Sequence, residues 1–172
     1  MGGTPSGSYF VVVGTIEPRK NHAFLLDIWE DLGANAPTLL ICGSRGWNND
    51  AVFARLDALP ADSPIRELPD LNDAALAYVM ARANGMLFPS IVEGFGLPPA
   101  EALSLGTRVL CNDLAVLREI LGEKAIYASI SDRYLWKNII ETWMHAPQKA
   151  QKTEGFTAPS WDDHFKTVLR VK

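Results

Sequence analysis

The 172-residue chain predicts an α/β fold, a doubly wound three-layer α/β/α sandwich around a mostly parallel six-stranded sheet. Three observations carry this. Apolar runs of strand length alternate with segments of helical period along the chain. The runs are apolar at successive positions, as expected of strands covered on both faces. No low-complexity stretch or inner linker breaks residues 9–172, which are drawn as one domain. Residues 1–8, rich in glycine and serine, read as a flexible linker or a cloning scar.

The elements follow in order. Tyr9-Phe10-Val11-Val12-Val13, stopped by Gly14, is the first strand, and Ala23 to Trp29, with apolar positions three and four apart, is the helix after it. Thr38 to Cys42 precedes a helix from about Asn49 to Leu59, and Ile65 to Leu68 precedes one from Asn72 to Arg82. Gly85 to Pro89 leads to a helix from Pro98 to Leu105, and Arg108 to Cys111 to one from Leu114 to Leu121. Ala125 to Tyr127 leads to Asp132 to Met144. Ser160 suits the N-cap of a last helix, which places Trp161, Phe165, Val168 and Leu169 on one face. The alternation is Rossmann-like, and in such open sheets ligands sit beyond the carboxyl ends of the strands, where strand order reverses.

Composition narrows the function. With 48% hydrophobic and 21% charged residues the chain is globular, and a net charge of −4 provides no field to draw nucleic acid or an anionic membrane. An anionic ligand therefore needs a local site. The apolar runs fall short of the about 20 residues of a membrane helix and no signal segment opens the chain, so it reads as cytoplasmic. Cys42 and Cys111 lie in apolar strand runs and read as small buried hydrophobes. No Asp-x-Asp and no His/Cys cluster of ligand spacing is present, so no metal is expected.

Two loops at strand ends hold the candidate chemistry. After the first strand, Gly14 allows a close backbone approach and Arg19 with Lys20 brings two cations to a helix start, where anions are already favoured. A phosphate or diphosphate suits this loop; solvated surface charge is the competing reading. The loop lacks G-x-G-x-x-G, against a dehydrogenase. After the fourth strand, "SIVEGFGLPPAEAL" holds Glu93 and Glu101 eight positions apart. Pro98 and Pro99 suit the first turn of a helix, which puts Glu101 in that turn and Glu93 ahead of the Gly94-Phe95-Gly96 loop. Carboxylates beside a phosphate site must face hydroxyl groups, which a nucleotide sugar offers; the alternatives are a helix-capping Glu101 and a surface Glu93. His22, His145 and His164 read as surface or capping residues. Asn21 reads equally as a helix cap or as a support of the phosphate loop together with Glu17. Trp47, after the second strand, reads equally as a packing residue or as part of the cleft.

The segments "VVVGTIEPRKNH" and "LPDLNDAALAYVMARANGMLFPSIVEGFGLPPAEALSLGTRV", with "SW" near the end, resemble the C-terminal, donor-binding domain of retaining GT-B glycosyltransferases of family 4. The resemblance runs from Tyr9 over nearly the whole chain and implies one half of a GT-B fold. By it, Arg19 and Lys20 match the pair that binds the donor diphosphate and stabilises the leaving nucleotide, with Gly14 in the nearby turn. Glu93 matches the acid that contacts the transferred sugar, and Glu101 the acid that holds the ribose hydroxyls. Gly94, Phe95, Gly96 and Leu97 match backbone lining the sugar and diphosphate, while Leu68, Asp70 and Leu71 border the base.

The implied ligand is a nucleotide sugar taken up without a metal, GDP-mannose being favoured by the likeness of "GTIEPRKNH" and "EGFGLPPAEAL" to bacterial mannosyltransferases and a UDP-sugar being the other candidate. The implied reaction passes a sugar to a glycan or lipid-linked acceptor in surface polysaccharide or lipopolysaccharide synthesis. A GT-B enzyme also needs an N-terminal acceptor-binding domain, through which it can associate peripherally with the inner face of a membrane. This chain lacks that domain and is expected to be a fragment or half of a split enzyme, inactive alone. A non-catalytic nucleotide-sugar-binding regulatory subunit or sensor is the alternative. A sugar-nucleotide epimerase is disfavoured by the phosphate-loop residues.

Overall fold

The computed structural model describes residues 8–146. The expected helix over 160–169, His164 and residues 1–7 lie outside the described residues. Six strands appear where the apolar runs place them: β1 (Tyr9–Val13), β2 (Thr38–Cys42), β3 (Ile65–Leu68), β4 (Gly85–Phe88), β5 (Val109–Cys111) and β6 (Ile126–Tyr127). They alternate with α1 (His22–Leu32), α2 (Asp50–Asp57), α3 (Asp73–Arg82), α4 (Leu97–Ser104), α5 (Ala115–Leu121) and α6 (Arg133–His145).

All pairings are parallel and the order is β3-β2-β1-β4-β5-β6. Successive strands step one way from β1 to β3 and the other way from β4 to β6, so the reversal falls between β1 and β4. Side chains alternate across the strands and divide the core in two. Phe10, Val12, Leu39, Ile41, Leu87 and Leu110 pack under α1, α2 and α6, while Val11, Leu40, Met86, Phe88, Val109 and Cys111 pack under α3, α4 and α5. Both faces are covered, which is why β1, β2, β4 and β5 carry no polar alternation; β3, at the sheet edge, holds Arg66 and Glu67.

Local signals account for the helix starts. Asn72 Oδ1 accepts from the Ala75 amide at 2.9 Å at the start of α3, and Asp132 Oδ1 from the Leu135 amide at 2.9 Å at the start of α6. One start differs from expectation. Gly96 adopts left-handed backbone (φ 87°) as the N-cap and α4 begins at Leu97, with Pro98 and Pro99 at its second and third positions. Glu101 is then the fifth helical residue, and the first turn of α4 holds no acid. The prolines fit there because these amides need no partner within the helix. The capping alternative for Glu101 is thereby removed.

Candidate functional site

The loops after β1 and β4 face each other at the strand-order reversal and are tied by backbone. The Ile91 amide donates to the Arg19 carbonyl at 2.8 Å, and Asn21 Nδ2 reaches the Pro89 carbonyl at 3.4 Å. Pro18–Lys20 form a 3-10 turn closed by Asn21 in left-handed backbone (φ 55°). Asn21 makes no side-chain cap to α1, which removes its capping reading; its side chain instead ties the β1 loop to the β4 loop.

This turn aims Arg19 and Lys20 at Glu93. Lys20 Nζ lies 2.7 Å from Glu93 Oε1 and Arg19 Nη1 lies 2.9 Å from Oε2, so one carboxylate spans both cations. Arg19 Nε also meets Glu17 Oε1 at 2.5 Å. The side chains of Lys20, Glu93 and Glu17 are 8%, 7% and 3% exposed against 45% for Arg19, so the cluster is sunk into the crevice with Arg19 at its mouth. The Lys20 ammonium sits 4.6 Å from the centre of the Phe88 ring, a cation–π contact that fixes its stem. A β-carbon on Gly14 would stand 3.1 Å from Lys20 Cε, so the glycine gives that stem its path. Two carboxylates balance two cations here. Glu93, expected to contact a sugar, lies on Arg19 and Lys20, and its surface alternative is overturned.

The rest of the acid loop is open. Phe95 and Leu97 are exposed, as are Ile91 and Val92 ahead of Glu93. A β-carbon on Gly94 would meet nothing within 4 Å, whereas one on Gly96 would collide with Leu117 Cδ2. Gly96 is therefore required by the fold, while Gly94 faces free space. The Glu101 side chain is exposed, and no side-chain hydrogen bond or ion pair engages it among the described residues.

Leu68 ends β3, and both it and Leu71 are half-buried against the core under α3. Asp70 is exposed beside them. With β2 and β1 between, β3 stands roughly 14 Å from β4 at ordinary strand spacing. The loop after β2 is fastened to the loop after β1: the Ile16 amide donates to Ser44 O at 2.9 Å, Gly46 N to Ile16 O at 3.2 Å, and Gly14 N to Cys42 O at 3.0 Å. Arg45 is held there by both Glu67 oxygens, at 2.9 and 2.7 Å, and by Asp57 at 2.6 Å. Its neighbour Trp47 is 67% exposed and does not pack, which overturns that half of its reading.

His145 is exposed as expected, but His22 is not a surface residue. It is buried at the first position of α1, both ring nitrogens lack a partner among the described residues, and burial aided by the Lys20 charge pushes its imidazole down to about 4. Cys42 and Cys111 are buried and free, with burial pushing both thiols up to about 12, which leaves them unreactive. Sequence reasoning missed Asn112, which is buried and donates from Nδ2 to Ser90 O at 2.9 Å while Oδ1 accepts from Ile130 N at 3.3 Å. A polar residue directly after an apolar strand was the available signal. Among the described residues no three His, Cys, Asp or Glu converge as metal ligands, and no helix is long and apolar enough to cross a membrane.

Comparison with known proteins bears on this geometry. The family model described as glycosyl transferases group 1 matches residues 5–154. A serotype-specific mannosyltransferase, WbdA, of Escherichia coli is 35% identical over 99% of this chain and 21% of its own length. The O-antigen chain mannosyltransferase B of Escherichia coli is 35% identical over 72% of this chain and 33% of its own, and RfbU of Salmonella typhimurium is 27% identical over 94% and 46%. The chain thus spans from about a fifth to under half the length of these relatives. In fold it matches Anabaena HepE, solved in complex with UDP-glucose, at a TM-score of 0.74 and 15% identity over 95% of this chain and 49% of that one. TarM matches at 0.72 and 13% identity over 96% of this chain and 36% of its own. The fold is that of one half of a GT-B glycosyltransferase, and the chain belongs to the glycosyl transferases group 1 family.

Proposed function

We propose that this chain is the donor-binding half of a retaining mannosyltransferase that takes GDP-mannose and, with an N-terminal acceptor-binding domain, passes mannose to a glycan or lipid-linked acceptor in surface polysaccharide synthesis. The observation that carries the reading is the pair of cations, Arg19 and Lys20, brought at 2.9 and 2.7 Å onto the carboxylate of Glu93 where the strand order reverses. Loss of a nucleoside diphosphate builds negative charge on its β-phosphate, and fixed cations lower that charge in energy without a metal. Lys20, buried and held over Phe88, supplies a preorganised donor; Arg19, at the mouth, closes over the phosphate. In this reading the exposed carboxylate of Glu101, on α4, accepts from the ribose hydroxyls, and the Gly94–Leu97 backbone lines the sugar. Leu68 to Leu71 border the base. The mannosyltransferase relatives support the sugar, and guanine follows from that choice. The other half provides the acceptor site and any attachment at the cytoplasmic face of the membrane.

Calorimetry with GDP, UDP and ADP and their sugars tests this. GDP-mannose is expected to bind best, and Arg19→Ala and Lys20→Ala to weaken it by tenfold or more, a loss typical of one charged contact. Absence of binding by every nucleotide, or indifference to both substitutions, removes the donor-site assignment.

A further inference from the structure

We infer that Glu93 is a specificity-determining residue: its carboxylate makes the diphosphate seat reject a bare diphosphate and accept one that carries a sugar. The inference rests on the donor-site reading above and goes beyond it by giving the site a preference opposite to that of an ordinary cationic phosphate pocket.

The argument starts from what Glu93 occupies. Both its oxygens are committed, Oε1 to Lys20 at 2.7 Å and Oε2 to Arg19 at 2.9 Å, and Glu17 holds the other edge of Arg19. A diphosphate seated on these two cations competes with Glu93 for the same charges. If Glu93 stays, the phosphate lies beside a carboxylate of like charge. If Glu93 withdraws, a carboxylate whose side chain is only 7% exposed loses both charged partners, and breaking a buried pair from one side is strongly unfavourable. A bare diphosphate consists of acceptors and offers Glu93 nothing in return. A pyranose carries hydroxyl donors, which a carboxylate accepts in bidentate fashion. The sugar-bearing ligand therefore replaces the partners it takes away. Once the sugar has left, the remaining nucleoside diphosphate faces the same displaced acid without that compensation, so the device also favours product release.

The test is calorimetry on the 172-residue chain and on Glu93→Gln, which keeps the shape and removes the charge. The probes are inorganic pyrophosphate, GDP, GDP-mannose, UDP and UDP-glucose. The expected result is that pyrophosphate and GDP bind Glu93→Gln about tenfold or more tightly than the native chain, as follows from removing a competing charge at a part-buried cation pair. The preference for sugar-bearing over bare nucleotide should fall by a similar factor. Glu93→Asp, which retains the charge on a shorter arm, gives an intermediate change. In the native chain, crystals grown with pyrophosphate should show the Glu93 carboxylate moved away from Lys20 Nζ. Pyrophosphate binding that depends on Lys20 but is no tighter in Glu93→Gln, or a Glu93 still on Lys20 with pyrophosphate seated, overturns this inference and leaves the donor site standing. No binding of any probe to either chain overturns both.

Discussion

His22 shows what a single buried titratable group does to the molecule. Burial and the neighbouring Lys20 charge lower its imidazole from 6.5 to about 4. As pH falls, the unfolded chain takes up this proton before the folded one, so the contribution of His22 is complete above about pH 6.5 and is lost toward pH 4. The full loss is on the order of 3 kcal/mol. Urea unfolding at pH 7 and pH 4.5 should show His22→Leu losing much less stability between the two than the native chain. Equal acid losses would mean that other groups set the acid limb. The glycines of the acid loop make a second contrast. Gly94→Ala should fold to within about 0.5 kcal/mol of native yet weaken nucleotide-sugar binding, because the space beside it is free. Gly96→Ala should destabilise by about 1–3 kcal/mol through its left-handed φ and the Leu117 clash. Sequence reasoning grouped the two glycines and misplaced Glu101 by a turn. A proline pair shows that a helix start is near, but not that a left-handed glycine two residues before it has already served as the cap. Histidine posed the same difficulty: its residue type fits surface and interior alike, and only the packing of α1 decided.

At the level of elements, the strands were legible almost residue for residue. Runs such as Tyr9–Val13 and Leu39–Cys42 are apolar at every position, and the parallel sheet is the architecture that buries such a run on both faces. The fastening of one loop to another was not legible, since it depends on backbone groups that every residue carries. The loop after β2 is the example. Gly43 has φ 157°, and a β-carbon there would collide with the carbonyl oxygen of Gly14, so the loop after β1 keeps its course only because Gly43 has no side chain. Gly43→Ala, far in sequence from Arg19 and Lys20, should force the β1 loop outward and reduce pyrophosphate affinity by about tenfold, at a cost of about 1–3 kcal/mol in stability. Thermal unfolding paired with calorimetry checks both. Retained affinity would show that Lys20 is positioned by Glu93 and Phe88 alone.

For the molecule as a whole, the alternation of elements gave the class of sheet but not its strand order, because a helical crossover of similar length can lead to either neighbour. The order β3-β2-β1-β4-β5-β6 is what brings Arg19 and Lys20, from one loop, onto Glu93, from another some seventy residues later. The resemblance named those residues, and the order explains how they meet. It also carries a thermodynamic consequence. A ligand gripping the loops of β1, β4 and β3 binds both halves of the sheet, so it binds only the folded chain, and its binding energy adds to the stability of the entire domain. At a free concentration of 100 times its dissociation constant, GDP-mannose should stabilise the fold by about 3 kcal/mol. For a chain of this length that raises Tm by roughly 5–10 °C. At the same concentration the shift should fall by about half or more in Lys20→Ala, as a tenfold or greater loss of affinity implies, and under the Glu93 inference it should be smaller for GDP than for GDP-mannose at equal concentration. A saturating ligand by calorimetry that leaves Tm unchanged would mean that it binds the unfolded chain equally well, and so that the seat is not assembled by the strand order at all.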